Sequence, residues 1–116
     1  MRKLLICVPL ACAVFLLGTT ANAHCVRAAW MISQTVCVYC DMARAFFVRN
    51  NIPLEEYNLD DRRNFRWNVG DLPVGTVRAF AQRRYGWVAT PILEIDGVVI
   101  RGYNLPAIQK ETCTYN

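Results

Sequence analysis

Charge of one sign is scarce in this chain. Its 13 Lys and Arg stand against 9 Asp and Glu, a net of +4 over 116 residues. That excess is too mild to make nucleic acid or an anionic membrane surface the main partner. A membrane-length apolar run is missing as well. The longest stretch, from Leu4 to Leu17, is apolar except for Pro9. At about 1.5 Å per residue it spans about 21 Å, short of the ~30 Å hydrocarbon core. Histidine occurs once, as His24, which reads as a solvated side chain rather than a base. There is no internal repeat or low-complexity tract, and the length admits one domain at most. Solenoids and large multi-domain enzymes are excluded.

What the sequence does have begins with a leader. Met1-Arg2-Lys3 is a short basic start, the apolar run follows, and Ala21-Asn22-Ala23 closes it with the small-x-small pattern that signal peptidase reads. Residues 1–23 therefore read as a cleavable signal peptide and 24–116 as the working domain. The form of the signal predicts an exported, periplasmic protein with no stable membrane span after cleavage. An uncleaved anchor is the alternative; a lipoprotein centred on Cys12 would put Pro9 where a branched aliphatic is wanted. Cleavage removes Arg2 and Lys3, so 11 cations oppose 9 anions, a net of +2. It also removes Cys7 and Cys12, leaving Cys25, Cys37, Cys40 and Cys113. An even count in an oxidising compartment points to disulfides, with three connectivities open.

Along the mature chain, Ala28-Ala29-Trp30-Met31-Ile32-Ser33 is a short apolar run and predicts a buried strand. From Cys40 to Arg49 the apolar positions Met42, Ala45, Phe46 and Val48 predict a helix, stopped by Asn50-Asn51 and Pro53. Leu54 to Leu59 predicts a second strand with Tyr57 and Leu59 inward. Asp60 to Asp71 is polar and irregular. A helix is expected from about Pro73 to Tyr85, with Val77, Phe80 and Ala81 on its buried face and Gly86 ending it. Ile92 to Ile95 and Val98 to Ile100 flank Asp96-Gly97, a two-residue hairpin signal. A short last helix carries Leu105, Ile108 and Cys113. Strands alternating with helices, then a hairpin, predict an α/β domain: a small sheet with helices on both faces.

The sharpest chemical signal is Cys37-Val38-Tyr39-Cys40 between a strand and a helix. A helix N-terminus offers unpaired N–H groups and the positive end of the dipole. A thiolate there is stabilised, and such thiols fall from about 8.5 into a range of about 3.5–7.5. The spacing places Cys40 one turn below Cys37, where it can attack a mixed disulfide formed at Cys37. Cys37 is the expected nucleophile and Cys40 the resolving thiol. Half a zinc site is one alternative, but Cys25 and Cys113 or His24 would have to supply the rest without metal-type spacing. A purely structural Cys37–Cys40 bridge is another.

Thr90-Pro91 precedes the hairpin. Proline cannot donate to a ladder, so it belongs at the strand's start. A cis Thr90–Pro91 bond would turn the Thr90 backbone groups outward, ready to pair with an extended peptide or glutathione; a trans strand opener is the alternative. Glu55-Glu56 and Asp60-Asp61 are adjacent pairs whose neighbours point apart, so a carboxylate dyad is not expected. Arg62 to Trp67 interleaves base and aromatic as a single-strand binder does, but on a nearly neutral exported domain it reads as a solvated or protein-docking face.

The pieces Ser33-Gln34-Thr35-Val36-Cys37-Val38-Tyr39-Cys40, Ile52-Pro53-Leu54-Glu55-Glu56-Tyr57-Asn58-Leu59-Asp60, Thr90-Pro91-Ile92-Leu93-Glu94-Ile95-Asp96-Gly97 and Ile100-Arg101-Gly102-Tyr103 follow one another in the order found in glutaredoxins. From 28 to about 110 the chain resembles a glutaredoxin, within the thioredoxin-fold superfamily. The resemblance implies a thioredoxin-like fold, a four-stranded mixed sheet flanked by three helices. It departs from the pattern in places. Val38 stands where the family usually has Pro, and Gln34 where a basic residue is common. Arg101-Gly102-Tyr103-Asn104 replaces Gly-Gly followed by an acid, so two charge contacts to glutathione are missing or changed. The segment from Arg62 to Leu72 is longer than the family needs.

The resemblance also implies roles. Cys37 and Cys40 would be the catalytic pair of a thiol–disulfide oxidoreductase, Thr90 and Pro91 would hold the substrate backbone, and Tyr39 and Gly102 would line the groove. Its partners would be disulfide-containing proteins and a thiol redox partner or glutathione, the latter as co-substrate; no metal or organic cofactor is needed. In the implied fold the first strand runs toward the active-site end, leaving Cys25 at the other, and the final helix brings Cys113 back there. A structural Cys25–Cys113 disulfide follows, contributing roughly 4 kcal/mol on the chain-entropy model. The alternative in another class is a thioredoxin-fold binding or assembly module that uses the groove without turnover.

Overall fold

The computed structural model describes residues 24–65, 75–86 and 88–114. Residues 1–23, the expected leader, and residues 66–74, 87 and 115–116 lie outside the described residues; the helix expected from about Pro73 begins only at Val77, because Thr76 caps it and Gly75 is held in a bridge to Phe65. Among the described residues seven elements follow in order: β1 Ala29–Ser33, α1 Val38–Arg49, β2 Glu55–Asn58, α2 Val77–Tyr85, β3 Ile92–Ile95, β4 Val98–Arg101 and α3 Leu105–Thr112. The sheet order is β2-β1-β3-β4. β1 and β2 are parallel, joined across α1, while β1–β3 and β3–β4 are antiparallel. This is the four-stranded mixed sheet with three helices.

Side chains alternate across a strand, and here the alternation divides the core into two clusters. Met31, Leu93 and Ile95 lie on one face, with Cys40, Ala43, Phe46 and Phe47 of α1 and Ile108 of α3. Ile32 and Ile92 lie on the other, with Val77, Phe80, Ala81 and Tyr85 of α2. The central strand β3 is buried along its whole length, whereas edge strand β4 buries only Ile100.

Local chemistry fixes the ends of these elements. Thr76 Oγ1 accepts from the Ala79 N–H at 3.2 Å to cap α2, and Gly86 closes that helix at φ 78°. Asn104 caps α3, with Pro106 in its first turn. Asp96 and Gly97 both take positive φ, the requirement of the tightest hairpin turn. The Asp96 carboxylate also accepts from the N–H groups of Arg27 and Ala28 at 3.0 and 2.9 Å. That clamp, together with a Cys25–Cys113 disulfide whose Cα atoms are 5.6 Å apart, holds the segment before β1 against the body. His24, expected in solvent, is therefore half-buried with its Nδ1 enclosed.

One further difference from the sequence reading concerns α1. Its buried face is Cys40, Ala43, Phe46 and Phe47, while Met42, Ala45 and Val48 are exposed. The helix meets the sheet along one side only, and Cys40, tied to Cys37, fixes which side.

Candidate active site

The site is built where β1 ends. After Ser33 the chain leaves the sheet, and the loop of residues 34–37 is fastened at two points. The Thr35 N–H donates to Asp60 Oδ2 at 3.0 Å, tying it to the chain just after β2. The Thr90 hydroxyl donates to Gln34 Oε1 at 2.8 Å, tying it to the residue before Pro91. The Thr35 N–H holds the Asp60 carboxyl below its ordinary value, so this anchor is charged at neutral pH and accepts more strongly than a neutral oxygen.

Cys37 then caps α1. Its backbone is extended (φ −155°, ψ 99°), and its Sγ accepts from the Cys40 N–H at 3.1 Å. Cys37 and Cys40 form a disulfide, with Cα atoms 5.2 Å apart. The two cysteines differ in burial: Cys37 is half-buried, whereas Cys40, in the first turn of α1, is fully buried in the core. Cys37 is thus the more exposed of the two, on the end of the helix where negative charge is favoured.

Thr90–Pro91 is a cis peptide, Pro91 is buried, and the Gly102 N–H donates to the Pro91 carbonyl at 2.7 Å. Gly102 takes φ 80°, a conformation that costs a side chain and suits glycine. Cys37, Cys40, Gln34, Thr90, Pro91 and Gly102 thus share one end of the sheet. Tyr39 projects from the first turn of α1, 60 % exposed. Cys25 and Cys113 are bonded to each other at the opposite end of β1.

The charges nearest the pair on α1 are mutually satisfied. The Arg44 guanidinium binds Asp41 at 2.7 Å and grips Glu56 with two bonds. Arg44 lowers the Glu56 carboxyl. Beyond Asp60 lies a hollow of about 450 Å³ lined by Leu59, Asp60, Asp61, Arg62, Thr76 and Arg78. It carries both signs of charge.

Two features escape a reading of the sequence. The Gln34–Thr90 bond joins loops far apart in the chain and leaves no local signature. The second lies under α2, where Glu94, 2 % exposed, receives two bonds from Arg84 at 2.9 and 2.8 Å and one from the Tyr85 hydroxyl at 3.0 Å. Trp30 Nε1 donates in turn to that hydroxyl at 2.9 Å. Burial pushes Tyr85 up to about 12. The available signal was a carboxylate in the middle of the apolar run Ile92-Leu93-Glu94-Ile95, since acids are seldom buried unless paired.

A family model described as Glutaredoxin matches residues 29–100, which takes in the cysteine pair, the cis-proline and all four strands but for Arg101 at the end of β4. The chain belongs to the glutaredoxin family. This is a family of thiol–disulfide oxidoreductases, whose partners are thiols. No curated protein matches the chain. Among solved structures it is similar to the thioredoxin-like protein BC3987, at 22% identity and TM-score 0.55, covering 72% of this chain and 97% of that one. A mutant of the same protein aligns at 22% identity and TM-score 0.54, covering 71% and 95%. These two carry the thioredoxin-like fold into the comparison, and this glutaredoxin shares it.

Proposed function

We propose that this glutaredoxin is an exported thiol–disulfide oxidoreductase acting on protein or glutathione disulfides through Cys37 and Cys40. The observation that carries the proposal is the arrangement of that pair: a half-buried cysteine capping α1, bonded to a fully buried one a turn below. In the reduced form the Cys37 thiolate attacks a substrate disulfide, forming a mixed disulfide and releasing one substrate thiolate, which takes up a proton. Cys40, as thiolate, then attacks Cys37 Sγ, re-forming the internal bond and releasing the second substrate thiol. Two electrons pass to the substrate. The reverse sequence, begun by a substrate thiolate on the oxidised pair, returns them.

Thr90 and Pro91 are assigned to the substrate backbone, and Tyr39 and Gly102 to the walls of the groove. Export is supported by the leader pattern of residues 1–23 and by Cys25–Cys113, a bridge of the kind that persists in oxidising compartments. Among the described residues no helix is long and apolar enough to cross a membrane.

Equilibration with glutathione redox buffers tests the proposal. The expected result is one reversible two-electron transition at Cys37–Cys40, lost in Cys37→Ser together with turnover of a disulfide substrate. Absence of any such transition, or turnover that survives Cys37→Ser, overturns it.

A further inference from the structure

The fold leaves a group of large apolar side chains in water around its reactive pair. Val36, just before Cys37, is 93 % exposed; Val38 and Tyr39, between the cysteines, are 69 and 60 % exposed, and Met42, one turn on, 43 %. Scattered apolar residues on a surface need no explanation, but a contiguous patch marks an interaction site. Nothing in helix formation asks for these residues. Polar side chains and proline favour a helix start, and Val38 at the first position of α1 contributes neither.

The occupant of this collar is constrained by the chemistry at its centre. Exchange requires a partner sulfur in contact with Cys37 Sγ, so whatever carries that sulfur lies across these four side chains. A small thiol such as glutathione, with two carboxylates and an ammonium, is held best by opposite charges. The collar supplies none. Arg44, on the same helix, is occupied by Asp41 and Glu56, and Arg62 and Arg78 line the hollow that also holds the carboxylates of Asp60 and Asp61. An apolar polypeptide segment loses no ionic hydration on this surface and removes apolar area from water on both sides.

We propose that the collar of Val36, Val38, Tyr39 and Met42 selects cysteines lying in apolar stretches of polypeptide over glutathione and over cysteines in charged surroundings. This rests on the thiol–disulfide reading above. The substrate class is then a protein whose cysteines are flanked by side chains that a finished fold would bury, that is, a chain still unfolded or incompletely folded.

The test uses the dithiothreitol-reduced protein, freed of reductant, in single-turnover reactions with three disulfides: glutathione disulfide, a symmetric disulfide of a short peptide whose cysteine is flanked by Leu and Phe, and its counterpart flanked by Ser and Asp. Second-order rate constants are read from the appearance of free substrate thiol. The expected result is a rate constant about tenfold higher for the apolar peptide than for the other two, the worth of a modest apolar contact. In the triple variant Val36→Ser, Val38→Ser, Met42→Ser the ratio of apolar to polar rate constants is expected to fall close to one. Equal rates in the unsubstituted protein, or a preference for glutathione disulfide, overturn the collar while leaving the oxidoreductase standing. A ratio unchanged in the triple variant also overturns it. A protein that elutes as a dimer and shows no apolar preference assigns the collar to a second copy, which likewise overturns it. Failure to exchange with any of the three sinks the oxidoreductase reading itself.

Discussion

Thr90 and Gln34 meet at 2.8 Å across 56 residues of chain. Their bond fixes the spacing between the loop that presents Cys37 and the strand start that would receive a substrate backbone. Through it, the Cys37 loop and the Thr90–Pro91 strand start are joined directly.

Thr90→Val keeps the shape and deletes the donor. A neutral, partly exposed hydrogen bond contributes roughly 1 kcal/mol, so thermal unfolding is expected to fall by roughly 4–8 °C. The substrate kcat/KM is expected to drop several-fold while the reduction potential of Cys37–Cys40 stays put, because no charge at the sulfurs has changed. Thermal shift, steady-state kinetics and a redox titration of the one variant check this. A shifted potential with unchanged kcat/KM would assign the bond to the sulfurs rather than to positioning.

The Glu94–Arg84 pair predicts an asymmetry. Arg84→Leu leaves a carboxylate, 2 % exposed, with only the Tyr85 hydroxyl for company, and breaking a buried pair in this way costs about 3–5 kcal/mol. Glu94→Gln keeps an oxygen and gains an NH₂ in the same slot. It leaves the partly exposed Arg84 to water, so the expected cost is about half as large. Urea unfolding of both variants decides it. Equal costs would mean that Arg84 contributes only its packing over Trp30 and Tyr85.

Removal of the Cys25–Cys113 bridge, which spans 88 residues of sequence, is expected to cost roughly 4 kcal/mol on the chain-entropy model. The Cys25→Ala, Cys113→Ala variant should nevertheless keep the redox transition of Cys37–Cys40, since the bridge lies at the far end of β1. Denaturant midpoint and redox titration are read on the same preparation. Loss of the transition in a variant that still unfolds cooperatively would tie the two cystines together functionally.

Titration sets two edges to stability. The Arg63 side chain holds the Asp61 carboxyl at about 2. Asp60 and Glu56 are lowered by the Thr35 N–H and the Arg44 guanidinium. A carboxyl lowered by folding stabilises above its unfolded value, and that contribution is lost as pH falls through the folded one. The urea midpoint should therefore decline from about pH 4 toward pH 2. Tyr57 and Tyr85 are pushed up to about 12, first by burial. Their contribution is complete below the ordinary phenol value of about 10 and is lost as pH rises through the folded one. Ultraviolet difference titration should find two phenols ionising after the rest. If all phenols ionise together, the alkaline edge is absent.

The elements legible in the sequence were those with local causes. Asp96-Gly97 needs two positive φ values and can only turn a hairpin, Gly86 ends a helix for the same reason, and Cys37-x-x-Cys40 at a strand–helix junction carries its geometry with it. Helices on both faces of the sheet followed from the order of strands and helices along the chain. What stayed hidden depended on faces and on distant loops. Apolar Met42, Ala45 and Val48 gave α1 its periodicity but not its orientation, because burial was decided by Cys40 and by Phe47. Gln34 and Thr90 are ordinary polar residues until the sheet brings their loops together. Glu94 went unremarked inside an apolar run, and its partner Arg84 could be named only once α2 was known to lie over β3.

The Cys25–Cys113 bridge has a consequence for whatever this domain is attached to. It brings the two ends of the described chain side by side, with Cα atoms 5.6 Å apart, at the end of β1 away from Cys37. Residue 24 therefore enters the domain at the end of β1 opposite Cys37.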